Sequence, residues 1–125
     1  MSLHTRERSL APDVIAPDGS EVRILAATPR GSMAQFTLPP GAVSRAVAHR
    51  SVEEVWLVTH GAGRMWRKLE AEEAVVDLRP GISIAIPPGA HFQFRNDGDE
   101  PLHCVGVTMP PWPGMDEAYE VGGIW

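Results

Sequence analysis

The sequence lacks several features that would assign it to common functional classes. Its 125 residues include one cysteine, Cys104, which excludes an internal disulfide and favours a reducing, cytoplasmic setting. No apolar run approaches the roughly 18 residues of a membrane-spanning helix, and the polar start MSLHTRERS lacks a signal-peptide core. Acidic residues outnumber basic ones, 16 to 11, whereas nucleic-acid binding needs clustered positive charge.

Motifs typical of several enzyme classes are missing too. The chain has no glycine-rich phosphate loop, no serine nucleophile elbow and no Cys-x-x-Cys pair. Twelve glycines and twelve prolines interrupt the chain too often for long helices. With 43% hydrophobic residues and a net charge of −5, the composition predicts one soluble domain over residues 1–125.

Short segments of alternating polarity dominate the chain, and turn residues separate them. The predicted strands are Glu21–Ala27, Met33–Leu38, Val43–His49, Glu54–Thr59, Arg64–Lys68, Ala74–Asp77, Ile82–Ile86, Phe92–Arg95 and Leu102–Met109. Only Leu69–Glu73 has a brief helical composition. Strands of this length with a turn signal every 8–12 residues predict an all-β sandwich or barrel. The Pro/Gly-rich tail, residues 110–125, is expected to pack across it.

Two motifs with regular spacing carry a family resemblance. The first places two ligand-type residues inside a glycine frame: Gly41, Val47, His49, Glu54 and Gly61. The second has a glycine and proline frame: Gly81, Pro87, Gly89, Phe92 and Asn96. Both resemble the motifs of the small single-domain cupins, and the resemblance covers residues 39–111. It implies a jelly-roll β-barrel.

The same resemblance bears on a metal site. Metal-binding cupins use three histidines and one glutamate, and this chain keeps His49 and Glu54 but has Val47 and Phe92 at the other two positions. The resemblance therefore implies a degenerate site for a divalent metal such as Mn, Fe, Ni or Zn. His91 precedes one lost position, and strand parity places it on the outer face unless a bulge turns it inward.

Strand parity also predicts a pocket at the barrel mouth. His49 and Glu54 are its candidate acid and base, and burial is expected to raise the pKa of Glu54. Trp56 and Phe92 are expected to line it, and Arg45 to bind a ligand carboxylate there. The alternative for Arg45 is an ion pair with Glu53 or Glu54. Separately, Trp112 of the tail is a candidate for a pocket wall.

Three functions remain open from the sequence. The first is a barrel that binds a small molecule, with or without a carboxylate, and acts as a metal-free or weakly metallated enzyme through His49 and Glu54. The second is a metal-dependent dioxygenase, isomerase or decarboxylase that recruits His91. The third is a non-catalytic binding or sensing barrel. A homodimer is also expected, because four tryptophans and many apolar segments exceed what one small barrel easily buries.

Overall fold

A computed structural model describes residues 3–125, and these residues form strands joined by short turns. The strands are β1 (Val14–Ile15), β2 (Glu21–Thr28), β3 (Gly31–Leu38), β4 (Val47–His49), β5 (Glu53–His60), β6 (Gly63–Leu69), β7 (Glu72–Leu78), β8 (Ser83–Ile86), β9 (His91–Asn96), β10 (Leu102–Met109) and β11 (Ala118–Glu120). A 3-10 turn, Met115–Glu117, precedes β11. Within residues 3–125, no helix is long and apolar enough to cross a membrane. The all-β prediction is confirmed.

The strands form two antiparallel sheets. The six-stranded sheet has the order β1-β2-β3-β10-β5-β8, and the five-stranded sheet has the order β11-β4-β9-β6-β7. Alternation along β5 buries Trp56 and Val58 while Val55 and Leu57 remain exposed. A single apolar core that includes Trp56, Val58 and Phe92 fills the space between the sheets. The parity predicted for β5 is therefore confirmed.

The glycines of the two motifs are structural. Gly41, Gly61, Gly81 and Gly89 all have a positive φ, a backbone conformation that other residues rarely adopt. At Gly61 a Cβ atom would also lie 2.6 Å from the carbonyl oxygen of Pro101. The motif frame is thus a set of tight turns that fixes the register of the strands around the pocket.

Two of the predicted elements need correction. Of the predicted strand Val43–His49, only Val47–His49 is a strand, because the backbone N–H of Arg45 turns away to donate to the carbonyl of Asp18, at 2.7 Å. The segment Leu69–Glu73, predicted to have helical character, is the hairpin between β6 and β7. Glu70 there adopts a φ of 54°, as a tight hairpin requires.

The C-terminal tail packs across the barrel. Strand β11 pairs with β4, next to His49. The carboxylate of Glu117 accepts hydrogen bonds from the backbone N–H groups of Ser51 and Val52, at 2.6 and 2.7 Å. Further along, Gln93 accepts hydrogen bonds from the last two backbone N–H groups of the chain. The tail is therefore fastened to the turn after β4 and to β9.

Cys104 lies on β10 and has no exposed surface. Burial raises the pKa of its thiol to about 12. A thiol with so high a pKa is unreactive near neutral pH, so Cys104 acts as a small apolar residue of the core.

An apolar patch lies on the outer face of the six-stranded sheet. Val55 and Leu57 are each 46% exposed and lie opposite Val107 and Val105 of β10. We predict that a second copy covers this patch in a two-fold dimer.

The variant Val55→Asp tests this prediction, because a charge inside an apolar interface disfavours association. Light scattering at micromolar concentration is expected to show a dimer for the wild type and a shift to monomer for the variant. Val75→Asp is the matched control, since Val75 is 47% exposed on the other sheet. A stable wild-type monomer would contradict the prediction.

Candidate functional site

The two sheets enclose a cavity of about 210 Å³ between β2, β3, β4, β5, β9 and β10. Its walls are mostly apolar. The polar side chains that line it are Asp18, Ser32, His49, Glu54 and Thr108. An apolar cavity of about 150 Å³ is large enough to bind benzene, so this one has room for a small ring with a substituent.

Glu54 enters the cavity because alternation along β5 points it inward. Its side chain is 3% exposed. Oε1 accepts a hydrogen bond from Trp56 Nε1 at 3.1 Å, and Oε2 accepts a short one from the Thr108 hydroxyl on the neighbouring strand. Burial raises the pKa of Glu54 from 4.5 to about 7 and outweighs these two hydrogen bonds, which lower it.

His49 ends β4 and faces the same cavity. Its ring is 4% exposed and makes edge contacts with Phe92 and Trp112, with ring centroids 5.2 and 5.5 Å away. Nδ1 is buried, has no hydrogen-bond partner and lies 3.9 Å from Glu54 Oε1. Burial lowers the pKa of His49 to about 4, against the opposing influence of Glu117. The imidazole is therefore neutral near pH 7, and the pair with Glu54 is not an ion pair there.

Together these two groups form an acid–base pair in an apolar setting. The most effective general acid or base has a pKa near the operating pH, and Glu54 meets that condition at neutral pH. Neutral His49 has one ring nitrogen free to accept a proton. The arrangement is suited to moving a proton to or from a small bound molecule.

The structure brings together four of the residues that the sequence nominated: His49, Glu54, Trp56 and Phe92 all line the cavity. Arg45 does not, and its predicted role there is corrected. It is exposed, and its Nη1 donates to the carbonyl of Pro17 at 3.2 Å. Strand β4 begins only at Val47. Alternation along a strand therefore does not predict the direction of the Arg45 side chain. None of the ion pairs within residues 3–125 includes Arg45, so the alternative of a pair with Glu53 or Glu54 is also wrong.

His91 also lies outside the cavity. It is half-buried on the face of β9 opposite to Phe92, where its ring lies 6.5 Å from that of Trp66. No bulge turns it inward, because β9 pairs regularly with β6 from His91 to Asn96. His91 therefore lies on the outer face, as strand parity predicts.

Asp18, Phe36 and Thr108 are among the cavity residues that sequence reasoning missed. The turn at Pro17–Asp18–Gly19 was visible in the sequence, but nothing there showed that this turn folds over the barrel mouth. Thr108 was detectable in principle, since it shares the parity of Cys104 along β10. Trp112, the candidate wall from the tail, does line the cavity.

The cupin domain family model matches residues 34–108, which contain both motifs. The chain belongs to the cupin family. It is 28% identical, over 85 residues, to the uncharacterized protein MJ1618 of Methanocaldococcus jannaschii. That match covers 68% of this chain and 65% of the relative, so the chain spans slightly less than two thirds of it.

Solved structures share the jelly-roll fold. An uncharacterized Klebsiella pneumoniae protein with a double-stranded β-helix domain superposes with a TM-score of 0.69 at 19% identity, over 83% of this chain and 85% of that one. Oxalate decarboxylase of Bacillus subtilis, described with Mn(II) centres, superposes with a TM-score of 0.73 at 19% identity. That match covers 89% of this chain but 30% of the decarboxylase. At these identities the likeness establishes the fold, and the jelly-roll prediction is confirmed.

The residues present do not fit a cupin metal centre. Val47 and Phe92, at the two lost ligand positions, are 3% and 1% exposed and are paired directly across β4 and β9. Within residues 3–125, no group of three or more His, Cys, Asp or Glu side chains is placed to hold a metal ion. Both oxygens of Glu54 are already hydrogen-bonded. A stable centre needs more donors than His49 and Glu54 supply.

Stability should depend on pH through both buried groups, with opposite signs. The raised pKa of Glu54 contributes to the free energy of unfolding fully below about pH 4.5, and this contribution is lost as the pH rises through about 7. The lowered pKa of His49 contributes to the free energy of unfolding above about pH 6.5, and this contribution is lost as the pH falls through about 4.

We predict that Glu54→Gln gains stability relative to wild type as the pH rises from about 5 to 8, because no carboxylate must then be buried. One pKa unit corresponds to about 1.4 kcal/mol, so the relative gain approaches about 3 kcal/mol. Urea unfolding at several pH values measures it. Glu53→Gln, at an exposed neighbour, should show no such trend, and a pH-independent difference for Glu54→Gln would refute the assignment.

The lost ligand positions can be tested by restoring them. Because Val47 and Phe92 are cross-strand partners beside His49, the double variant Val47→His, Phe92→His is predicted to supply three imidazoles and one carboxylate. Zinc requires ligand nitrogens about 2.0–2.1 Å away, which the retained strand register favours. Zinc at about a thousand times its Kd should then stabilise the variant by about 4 kcal/mol.

Calorimetric titration and thermal unfolding of the same variant with and without zinc measure this effect. That comparison separates metal binding from the few kcal/mol lost when Phe92 leaves the core. Adding Glu54→Gln to the double variant should weaken binding. Tight stoichiometric binding by the wild type, or none by the double variant, would contradict the prediction.

Proposed function

We propose that this cupin barrel binds a small, mostly apolar molecule in its cavity and exchanges a proton with it through Glu54, with no metal required. The observation that carries this proposal is a carboxyl group that titrates near pH 7 inside an apolar cavity. Groups with such displaced pKa values concentrate at functional sites. We also propose a cytoplasmic location, for which the lone buried thiol of Cys104 is the support.

Glu54 is held in place for proton transfer. Trp56 and Thr108 each donate to a different oxygen of its carboxylate and fix its plane. Each oxygen has a second lone pair, so each can still accept a proton from a bound molecule. The apolar walls leave the carboxylate weakly solvated, which makes it a stronger base than in water.

His49 acts as a partner of Glu54 in this proposal. Its Nδ1 lies 3.9 Å from the carboxylate and has no other partner. A side-chain movement of about 1 Å would bring the two atoms to hydrogen-bonding distance. A proton taken up by Glu54 would then be stabilised by the free imidazole nitrogen.

The expectation of a ligand carboxylate loses its support with the placement of Arg45. Within residues 3–125, no lysine or arginine lines the cavity. A carboxylate there would face Glu54 without a compensating cation, at a large electrostatic cost. The ligand is therefore proposed to bring no negative charge.

The probe 5-nitrobenzisoxazole tests the proposed base without knowledge of the natural substrate. A base removes its ring C–H proton, the electron pair released forms a nitrile, and the N–O bond breaks to give a coloured cyanonitrophenolate. We expect wild-type turnover to rise with pH through about 7, following ionisation of Glu54. Glu54→Gln should lower the rate at least about a hundredfold.

Glu53→Gln, which changes an exposed carboxyl group, is the matched control and should retain the wild-type rate. Quenching of tryptophan fluorescence reports binding independently, because Trp56 and Trp112 line the cavity. Binding with equal rates for wild type and Glu54→Gln would refute proton exchange and leave a non-catalytic binding barrel. The absence of both binding and turnover would refute the proposal as a whole.

A further inference from the structure

A second carboxyl group, that of Asp18, faces the same cavity from the turn between β1 and β2. Its side chain is nine-tenths buried, with the residue 6% exposed. Oδ1 accepts hydrogen bonds from the backbone N–H and the hydroxyl of Ser20, at 2.9 and 2.7 Å. Both of these hydrogen bonds go to Oδ1, so Oδ2 is the oxygen left to meet a ligand.

Burial makes this carboxyl group costly to ionise. It raises the pKa of Asp18, against the lowering effects of Ser20 and of Arg45 nearby. Within residues 3–125, Arg45 forms no ion pair with Asp18, and its guanidinium donates to the carbonyl of Pro17. A buried carboxylate of this kind is stabilised most by a positive charge brought directly to it.

The walls around Asp18 are aromatic. Phe36, Trp56, Phe92 and Trp112 line the cavity, and Trp56 stacks on Phe36 with ring centroids 4.6 Å apart. The faces of such rings attract cations within about 6 Å. His49 adds a buried Nδ1 with no partner, on a neutral ring that carries no competing charge.

We propose that the ligand carries a protonated amine on a small apolar body, and that Asp18 is the residue that binds its ammonium group. The proposal rests on the proposed function, since it concerns the same cavity. The carboxyl groups of Asp18 and Glu54 supply negative charge, the aromatic rings receive the cation and the apolar body, and no lysine or arginine of residues 3–125 lines the cavity. In this arrangement the ammonium group donates to Asp18 Oδ2, while Glu54 remains free to exchange a proton with the body of the ligand.

Three probes of the same ring size separate charge from shape: benzylamine, which is protonated at neutral pH, benzyl alcohol and benzoate. Calorimetric titration of the wild type is expected to rank the amine first, about tenfold tighter than the alcohol, with benzoate weakest. This ranking needs no variant, so it tests the proposal even if a substitution impairs folding.

Asp18→Asn then tests the residue, because an asparagine oxygen preserves both hydrogen bonds to Ser20. We expect benzylamine to bind about tenfold more weakly to this variant and benzyl alcohol to change less than about twofold. Asp77→Asn, at an exposed carboxyl group on β7, is the control and should change neither. A merely structural role for Asp18 would weaken both probes equally.

The outcomes separate ammonium binding by Asp18 from proton exchange by Glu54. Equal binding of amine and alcohol, or an amine preference that survives Asp18→Asn, would overturn the role of Asp18 while Glu54-dependent turnover still stood. Tighter binding of benzoate than of benzylamine would overturn the ligand class. Failure of all three probes to bind would also overturn the ligand class, whereas the proposed function would still be decided by turnover of 5-nitrobenzisoxazole.

Discussion

A carboxyl group kept out of water inside a barrel is the constraint on which the site depends. Glu54 has 3% of its surface exposed, and hydrogen bonds from Trp56 and Thr108 replace the water it has lost. Two neutral donors stabilise an anion less than bulk water does, so the proton is held up to about neutral pH. The same lack of water keeps His49 uncharged. One structural cause, exclusion of solvent by the two sheets, therefore sets the protonation of both groups.

The fold was predictable because its rules are local. Alternation identified β5 and β10 nearly to the residue, since a strand with one face in the core must alternate. Glycines at fixed spacing marked the turns, and each motif glycine proves to have a positive φ. The errors lie where local rules end, at Arg45, where the backbone bonds a distant turn, and at Leu69–Glu73, where composition competes with hairpin geometry.

The site was predictable to the extent that it lies on regular strands. His49, Glu54, Trp56 and Phe92 follow the parity of β4, β5 and β9, so their inward direction could be inferred. Asp18 could not, because it reaches the cavity through a turn whose direction is fixed by long-range hydrogen bonds to Arg45. Such contacts join residues far apart in the chain, so composition and spacing do not predict them.

The cavity wall is built from two sources. The segment that matches the cupin family, residues 34–108, contributes His49, Glu54 and the rings around them, whereas Asp18, Trp112 and Ala118 come from outside it. The tail part is fastened by Glu117, by the pairing of β11 with β4 and by hydrogen bonds to Gln93. The wall residues outside this segment can therefore change in evolution without replacing His49 or Glu54. Two cupins with closely similar central segments can differ in what they recognise, and exchanging the terminal segments between relatives is a route to new specificity that leaves the acid–base pair in place.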